Sequence, residues 1–226
     1  MQPRDLITRA SQPSALRNRT RIKVCGITKL SEALSIAEQG ADSIGLVFHP
    51  KSPRFVGLDV ARKIRDAMPP FVTITALFMD ETEAWVSEVL SEINPDCLQF
   101  HGEEPELDCV RWNQPYIKSI SMGSAVNVEA YAEQYFSAQG FLFDSNAAGR
   151  QGGSGDTFDW SKIPPSFDRP LVLAGGLNPT NVAGAVTQVR PWGVDVSSGV
   201  EISKGVKDLS VVRQFFLEVL RGDTTA

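Results

Sequence analysis

The chain has 226 residues, of which 42% are hydrophobic and 22% charged, a composition typical of a globular protein and not of a disordered one. Its length favours one large domain over two small ones. The 22 Lys and Arg residues against 27 Asp and Glu residues give a net charge of −5, which disfavours general nucleic-acid binding. No apolar run approaches the roughly 20 residues of a membrane span. We therefore expect a protein that binds neither nucleic acid nor a membrane.

Cysteine and histidine are sparse. Cys25, Cys97 and Cys109 form no CxxC pair, and the only histidines, His49 and His101, lie far apart in the sequence. Neither an HExxH motif nor an EF-hand pattern is present. The sequence therefore predicts no disulfide framework and no bound metal, and it favours a reducing compartment, the cytoplasm.

Residues 1–20 differ from the rest of the chain. They carry four arginines and one acidic residue among Ser, Gln and Pro, and they lack the apolar core of a secretory signal. A disordered N-terminal extension is the simpler interpretation. An organelle transit peptide is the alternative.

From residue 21 to residue 226, short apolar runs alternate with segments of helical period, which is typical of strand–helix units around a parallel sheet. Most of the runs are apolar on both faces, as expected of strands covered inside and outside. The predicted strands are Arg21–Cys25, Asp42–Phe48, Val72–Met79, Cys97–Phe100, Tyr116–Ile120, Gly140–Asp144, Pro170–Ala174 and Gly193–Val196.

Helices are predicted where apolar residues recur at intervals of three and four. The clearest carry Leu30, Leu34 and Ala37 before Gly40; Val60, Ile64 and Ala67 before Pro69; Val86, Val89, Leu90 and Ile93 before Asn94-Pro95; and Val212, Phe215, Val219 and Leu220. No GxGxxG or GxxxxGK[ST] motif follows the first strand. Eight units in about 200 residues predict an α/β protein of the single-domain (β/α)8 barrel class.

In such a barrel the functional groups lie at the carboxyl ends of the strands. Cys25 ends the first predicted strand and Asp144 the sixth, and each also has an ordinary interpretation, as a small buried side chain or a loop cap. His101, after the fourth strand, either contacts a ligand or forms an edge hydrogen bond. Arg54 is either a surface charge or a bidentate carboxylate ligand. Asp195 lies in the eighth strand.

Glycine-rich segments follow three strands. Residues 175–176 and 198–199 offer backbone N–H groups where barrels often bind phosphate, which predicts a phosphorylated small-molecule ligand. Residues 149–155 form either a flexible connector or a lid over the site.

Six motifs at these strand ends resemble the phosphoribosylanthranilate isomerase family. They are Lys23-Val-Cys25-Gly-Ile-Thr28, Ser52-Pro53-Arg54, Gln99-Phe-His101-Gly102, Gly152-Gly-Ser-Gly155 with Phe158-Asp159-Trp160, Ala174-Gly-Gly-Leu177-Asn-Pro179 and Val194-Asp195-Val-Ser-Ser-Gly-Val-Glu201. The resemblance covers about residues 21 to 220. It implies an Amadori rearrangement of N-(5'-phosphoribosyl)anthranilate to 1-(2-carboxyphenylamino)-1-deoxyribulose 5-phosphate in tryptophan biosynthesis, without a metal or organic cofactor.

The resemblance also implies roles for individual residues. Asp144 would be the general acid that protonates the furanose ring oxygen, and Cys25 the general base that removes the C2' hydrogen. Arg54 would hold the anthranilate carboxylate, His101 would lie near the substrate, and Asp195 would contact its amine or sugar hydroxyls. The residues that would bind the 5'-phosphate are Gly152, Gly153, Gly155, Gly175, Gly176, Ser198 and Gly199.

The chain departs from the family pattern at Phe100, where Leu is more frequent, and at Asp156, beside the glycine-rich loop. An acid there disfavours phosphate binding by the loop unless the carboxylate points away. Three other functions fit the same barrel: a flavin oxidoreductase, a neighbouring phospho-sugar enzyme and a non-catalytic sugar-phosphate binder. Strand one ends in Cys25 where an indole-glycerol-phosphate synthase would use lysine and glutamate, and an epimerase would need more histidines. Both a monomer and a homodimer remain open, as does the acceptance of related aminoaldose phosphates.

Overall fold

A computed structural model describes residues 19–123, 127–145 and 157–225. Eight parallel strands form a closed barrel in which each strand pairs with the next and the last pairs with the first. The strands are β1 (Arg21–Cys25), β2 (Ser43–Val47), β3 (Thr73–Phe78), β4 (Cys97–Phe100), β5 (Tyr116–Ser121), β6 (Gly140–Asp144), β7 (Leu171–Leu173) and β8 (Gly193–Val196). The predicted (β/α)8 barrel is confirmed. The N-terminal residues 1–18 and the predicted loop residues Gly152, Gly153, Gly155 and Asp156 lie outside the described residues.

The helices lie between the strands along the chain. They are α1 (Leu30–Glu38), α2 (Leu58–Ala67), α3 (Glu83–Ile93), α4 (Glu106–Val110), α5 (Val128–Glu133), α6 (Val182–Val189) and α7 (Leu209–Thr225). Between β6 and β7 the described residues form one 3-10 turn, Trp160–Lys162. Among the described residues, no helix combines the length and the apolar composition needed to cross a bilayer.

Four predicted strands match the structure residue for residue, and the other four differ from it by one residue at one or both ends. The strand β2 begins at Ser43 and not at the predicted Asp42, because the Asp42 side chain has another role. Its carboxylate accepts a hydrogen bond of 2.8 Å from Ile22 N. At the end of β3, Asp80 takes a positive φ of 56°, which turns the chain away from the sheet.

Helix packing follows the predicted period, but the buried face differs from the predicted one in two helices and Leu220 of α7 is 50% exposed. In α2 the buried residues are Ala61 and Ile64, whereas Val60 is partly buried and Ala67 exposed. In α1 the fully buried apolar residues are Ala33, Ile36 and Ala37, whereas Leu34 is only partly buried. At the end of α3, Asn94 takes the left-handed conformation before Pro95, as expected where proline excludes the helical region.

Alternation along the strands separates the barrel interior from the helical layer. Leu77 and Gln99 line the pocket inside the barrel, whereas their neighbours Phe78 and Phe100 are buried in an aromatic row. Phe78 and Phe100 have ring centroids 6.1 Å apart, and Phe100 lies 5.7 Å from Tyr116. The departure from the family pattern at Phe100 is therefore absorbed by aromatic packing.

A small hairpin after β8 is an element that the sequence patterns did not predict. It consists of β9 (Glu201–Ser203) and β10 (Val206–Lys207), joined by a two-residue turn in which Gly205 has φ +79°. Glycine adopts this conformation without strain. The hydroxyl of Thr28 donates a 2.7 Å hydrogen bond to Gly205 O, so the hairpin is fixed against the loop after β1.

Candidate active site

A pocket opens at the carboxyl ends of the barrel strands, with an empty volume of about 850 Å³ including its mouth. Eight of the predicted site residues line it: Cys25, Arg54, His101, Asp144, Asp195, Gly175, Gly176 and Ser198. The barrel therefore brings together groups that lie up to 173 positions apart in the chain.

The thiol of Cys25 lies at the end of β1, where only 5% of the residue is exposed. Its partner in the sheet register is Gly45 of β2. A Cβ atom on Gly45 would lie 2.8 Å from Cys25 Sγ and 2.9 Å from Cys25 Cα, closer than real Cβ atoms approach other atoms. The absent side chain at position 45 therefore provides the space that the thiol occupies.

Lys23 lies two residues before Cys25 and shares its face of β1. Its Nζ is 3.0 Å from Asp195 Oδ1 on β8, and both side chains are more than nine-tenths buried. Burial alone would lower the pKa of Lys23, but the Asp195 carboxylate and the Cys25 thiol raise it above its ordinary value. The barrel interior therefore holds a lysine cation beside the thiol.

The ionisation of Cys25 depends on opposing effects. Burial raises the pKa of the thiol, and the Lys23 ammonium lowers it; the Asp195 carboxylate raises it, and the Lys207 ammonium lowers it. Burial prevails, so the pKa lies above its ordinary value. The neutral thiol is the main form at pH 7, and the two cations limit the cost of forming the thiolate.

Arg54 reaches the pocket wall from the loop after β2 and is held by the hairpin. Its Nε and Nη2 donate hydrogen bonds of 2.8 Å each to the two carboxylate oxygens of Glu201. Glu201 also accepts a 2.8 Å hydrogen bond from Lys207 Nζ. Although burial favours the protonated acid, these two cations lower the pKa of Glu201 below its ordinary value. Gly26, with φ +77°, lets the Arg54 side chain pass over its backbone.

His101 and Asp144 face each other across the strand ends. Asp144 is the last residue of β6 and is 8% exposed, and its Oδ2 lies 3.7 Å from His101 Nε2. The other ring nitrogen of His101 lies 2.8 Å from Ser119 Oγ and 3.3 Å from Gln99 Nε2. The imidazole therefore lies between the carboxylate and two polar side chains.

Two glycine segments approach each other beyond β7 and β8. Gly175 and Gly176 have φ values of 80° and 65°, and a Cβ on Gly175 would lie 2.3 Å from Ser145 N. A Cβ on Gly199 would lie 1.9 Å from Leu177 O. Both positions therefore require glycine, and the resulting backbone concavity is of the kind that binds anions through N–H groups.

The structure also shows site residues to which the sequence patterns assigned no role: Lys23, Gln99, Ser119, Glu201 and Lys207. Two of them carried a usable signal. Lys23 and Cys25 are two positions apart on a predicted strand and must share a face, and Gln99 and His101 have the same spacing. The contacts of Ser119 with His101 and of Glu201 with Arg54 join segments that are separate in the sequence.

All three cysteines, Cys25, Cys97 and Cys109, are free thiols. Within residues 19–123, 127–145 and 157–225, no group of three or more His, Cys, Asp or Glu side chains is arranged to hold a metal ion.

The profile of the family described as N-(5'phosphoribosyl)anthranilate (PRA) isomerase matches residues 22–218. The chain is 48% identical over 195 residues to N-(5'-phosphoribosyl)anthranilate isomerase of Pseudomonas fluorescens strain Pf0-1, covering 86% of this chain and 96% of the relative. It is also 48% identical over 209 residues to the enzyme of the same name from Stenotrophomonas maltophilia strain R551-3, covering 92% and 96%.

Solved structures give the same result. Phosphoribosyl anthranilate isomerase of Thermotoga maritima superposes with a TM-score of 0.81 at 40% identity, covering 89% of this chain and 98% of that chain. A second structure holds the enzyme in complex with reduced 1-(o-carboxyphenylamino)-1-deoxyribulose 5-phosphate; its TM-score is 0.75 at 38% identity, with the same coverage.

Proposed function

The chain belongs to the N-(5'-phosphoribosyl)anthranilate isomerase family, and from that premise we propose that Asp144 and Cys25 transfer the protons of its reaction. The protein is an isomerase of tryptophan biosynthesis that converts N-(5'-phosphoribosyl)anthranilate to 1-(2-carboxyphenylamino)-1-deoxyribulose 5-phosphate. One observation carries the assignment of roles: a thiol and a carboxyl group from different strands line one pocket. An aldose-to-ketose rearrangement needs one acid and one base.

Asp144 acts as the general acid. Protonation of the furanose ring oxygen breaks the C1'–O bond and leaves an iminium ion conjugated with the anthranilate amine. The iminium makes the C2' hydrogen acidic. Asp144 is well placed for the first step because it is the terminal residue of β6, where its carboxyl group borders the pocket and is shielded from bulk water.

Cys25 acts as the general base. Its thiolate takes the C2' hydrogen, and the resulting enolamine tautomerises to the ketone. Burial reduces the thiolate fraction, but a thiol with a raised pKa yields a stronger base once ionised. The cations of Lys23 and Lys207 stabilise this thiolate at a site from which water is largely excluded.

The remaining pocket residues bind the substrate. Arg54 binds the anthranilate carboxylate. Glu201 accepts hydrogen bonds from two of the five guanidinium N–H donors of Arg54 and so fixes the plane of the guanidinium group. Asp195 and His101 lie beside the sugar. The 5'-phosphate binds at the backbone of Gly175, Gly176, Ser198 and Gly199, where the glycine φ values and the close approach of the two segments support an anion site. The predicted phosphate contacts at Gly152, Gly153 and Gly155 remain part of the proposal.

The protein acts without nucleic acid or membrane partners, in the cytoplasm. The net charge of −5 and the three free thiols support this placement.

A solved relative from Thermotoga maritima is described as dimeric. A monomer and a homodimer are the two candidate states for this chain, and sedimentation equilibrium separates them.

The test follows the loss of fluorescence when purified protein is added to N-(5'-phosphoribosyl)anthranilate made in situ from anthranilate and phosphoribosyl pyrophosphate. We expect Cys25→Ala and Asp144→Asn each to lower kcat by about 10²- to 10⁴-fold. Cys97→Ala and Asp59→Asn are matched controls, because Cys97 lies at the start of β4 and Asp59 is exposed on α2. A reaction without added protein measures spontaneous breakdown.

Wild-type turnover in both Cys25→Ala and Asp144→Asn would refute the proposed roles. Tight binding of the substrate by the wild-type protein without turnover would instead favour the non-catalytic sugar-phosphate binder. Circular dichroism of each variant shows that a loss of activity does not come from unfolding.

A further inference from the structure

Two side chains hold the imidazole of His101 from the side away from Asp144. Ser119 Oγ lies 2.8 Å, and Gln99 Nε2 3.3 Å, from His101 Nδ1. Gln99 belongs to β4 and Ser119 to β5, so neighbouring strands fix their spacing. The Nε2 atom of His101 lies 3.7 Å from Asp144 Oδ2. Each ring nitrogen therefore has its own polar neighbours.

The amide group of Gln99 determines which nitrogen carries the proton. Its NH2 group can only donate hydrogen bonds, so the Nδ1 atom of His101 must present a lone pair to it. The reverse orientation would set the Gln99 oxygen against Nδ1 and bury the NH2 group, and buried N–H groups without acceptors are rarer than buried carbonyl oxygens without donors. In the observed orientation, Oε1 of Gln99 is the atom that has no partner among the described residues.

Ser119 also donates a hydrogen bond to the Nδ1 atom of His101. Its hydroxyl hydrogen can rotate towards the lone pair of His101 Nδ1, and at 2.8 Å the contact has the length of a good hydrogen bond. Two donors then converge on one acceptor atom. A neutral imidazole carries one proton, which is left for the Nε2 atom that faces Asp144.

We propose that Ser119 and Gln99 are positioning residues that hold neutral His101 in the Nε2–H tautomer, so that the imidazole N–H points towards the Asp144 carboxyl group, 3.7 Å away. The proposal rests on the proposed function, in which Asp144 is the general acid. It assigns to His101 a direction of hydrogen bonding beyond proximity to the substrate.

The tautomer matters because Nε2 faces an acid. An Nε2 atom without a proton would present a lone pair to the acid and could accept the Asp144 proton. The proton would then rest on His101 and not on the group that protonates the ring oxygen. With Nε2 already protonated, His101 stabilises the carboxylate that Asp144 becomes after ring opening.

The tautomer can be read directly, because the chain has only two histidines. Long-range ¹H–¹⁵N correlation spectra of the ¹⁵N-labelled full chain show both imidazoles, and a His49→Gln variant assigns the signals of His101. We expect a protonated Nε2 and an unprotonated Nδ1 at neutral pH. A protonated Nδ1 with a bare Nε2 would overturn the proposal.

Variants of Ser119 connect the tautomer to the reaction. In Ser119→Ala we expect a mixture of tautomers and a kcat lowered about tenfold, the effect of one lost hydrogen bond, with KM within about twofold of wild type. Ser119→Thr keeps the hydroxyl and should show the wild-type tautomer and the wild-type kcat. Ser43→Ala is the matched control, because this β2 serine bonds the Thr75 hydroxyl and does not contact His101. Gln99→Met, which also loses a donor, should show the same tautomer mixture.

A shifted tautomer with unchanged kcat would overturn the positioning role, and so would a lowered kcat with the wild-type tautomer. Failure of the proposed function gives a different result from failure of this proposal. If the proposed function is wrong, Asp144→Asn retains wild-type turnover, and the nitrogen signals of His101 still show which tautomer is present.

Discussion

Arg54 and Glu201 meet through two parallel hydrogen bonds, Nε to Oε1 and Nη2 to Oε2, each 2.8 Å long. The two residues are 147 positions apart in the chain, and the hairpin after β8 brings them together. Bidentate pairing of this kind fixes the guanidinium plane as well as its position. The proposed site for the substrate carboxylate is therefore organised before the substrate arrives.

Loss of this pairing should weaken substrate binding. In Glu201→Gln we expect KM to rise about tenfold, with a smaller change in kcat, because Arg54 loses its charged partner and its fixed plane. Steady-state kinetics with N-(5'-phosphoribosyl)anthranilate measure the effect. Glu92→Gln, which removes an exposed partner of Arg62, is the control and should leave both constants unchanged. An unaltered KM in Glu201→Gln would show that Arg54 needs no such support.

The pH dependence should reveal the base. Because burial raises the pKa of the Cys25 thiol, we expect the rate of its alkylation by iodoacetamide to increase with pH through the alkaline range, as the thiolate forms. The kcat/KM of the reaction should not follow this increase, because the proposed mechanism also needs Asp144 in its protonated form. In Lys23→Met the alkylation curve should move to higher pH, because the thiolate loses a stabilising cation.

Cys97 and Cys109 allow a clean measurement of this titration. Burial raises their pKa values to about 11 and about 12, so they react slowly at pH 9, and a Cys97→Ala, Cys109→Ala background removes them altogether. A Lys23→Met curve at the wild-type position, or displaced to lower pH, would contradict the role given to the Lys23 cation.

The position of the thiol should depend on the glycine opposite it. In Gly45→Ala the new methyl group would lie 2.8 Å from Cys25 Sγ, so the thiol must move. A displacement of about 1 Å at a reacting group costs on the order of 10²-fold in rate, and we expect kcat to fall by this factor. Gly57→Ala, with no atom within 4 Å of the new methyl, is the control. Wild-type kcat in Gly45→Ala would mean that the pocket tolerates a shifted thiol.

Binding at the proposed phosphate site should depend on Gly199. A methyl group there would lie 1.9 Å from Leu177 O and must separate the two backbone segments. We expect Gly199→Ala to raise KM at least tenfold and to weaken competitive inhibition by inorganic phosphate in parallel. Gly184→Ala, in an open position on α6, should leave both unchanged. A raised KM with unaltered phosphate inhibition would place the phosphate elsewhere.

The stability of the barrel should depend on a buried ion pair outside the pocket. Lys118 of β5 is fully buried, and its Nζ lies 2.9 Å from Glu104 Oε2. Lys118→Met leaves the Glu104 carboxylate buried without its cation, which should lower the free energy of unfolding by about 3–5 kcal/mol in urea titration. Arg111→Met, which breaks exposed ion pairs with Glu83 and Asp108, should cost less than about 1 kcal/mol. Equal losses in the two variants would disprove the dependence on burial.

The sequence predicted the barrel and the strand-end residues because both follow from local signals. Apolar runs mark the strands, and barrel geometry sends the side chains of Cys25 and Asp144 to the same end. The charged contacts beneath them follow from no local signal. Lys23 and Asp195 are 172 positions apart, and a lysine in a sequence is ordinarily exposed.

The supporting hairpin was missed for a related reason. Lys204-Gly205 is a weak turn signal, and the strands on either side of it are three and two residues long. Segments of that length contain too few residues to show an alternating pattern. The position of Glu201 under Arg54 therefore became visible only once the chain was folded.

The pairing of β1 with β8 has a consequence for the order in which the protein becomes competent. Lys23 leaves the ribosome before its counter-ion Asp195, which follows 172 residues later. At the roughly 5–20 residues per second of translation, the nascent chain carries an uncompensated lysine beside Cys25 for many seconds. No shorter nascent chain contains the finished thiol environment. The environment proposed for the catalytic thiol is therefore complete only after β8 has closed the ring.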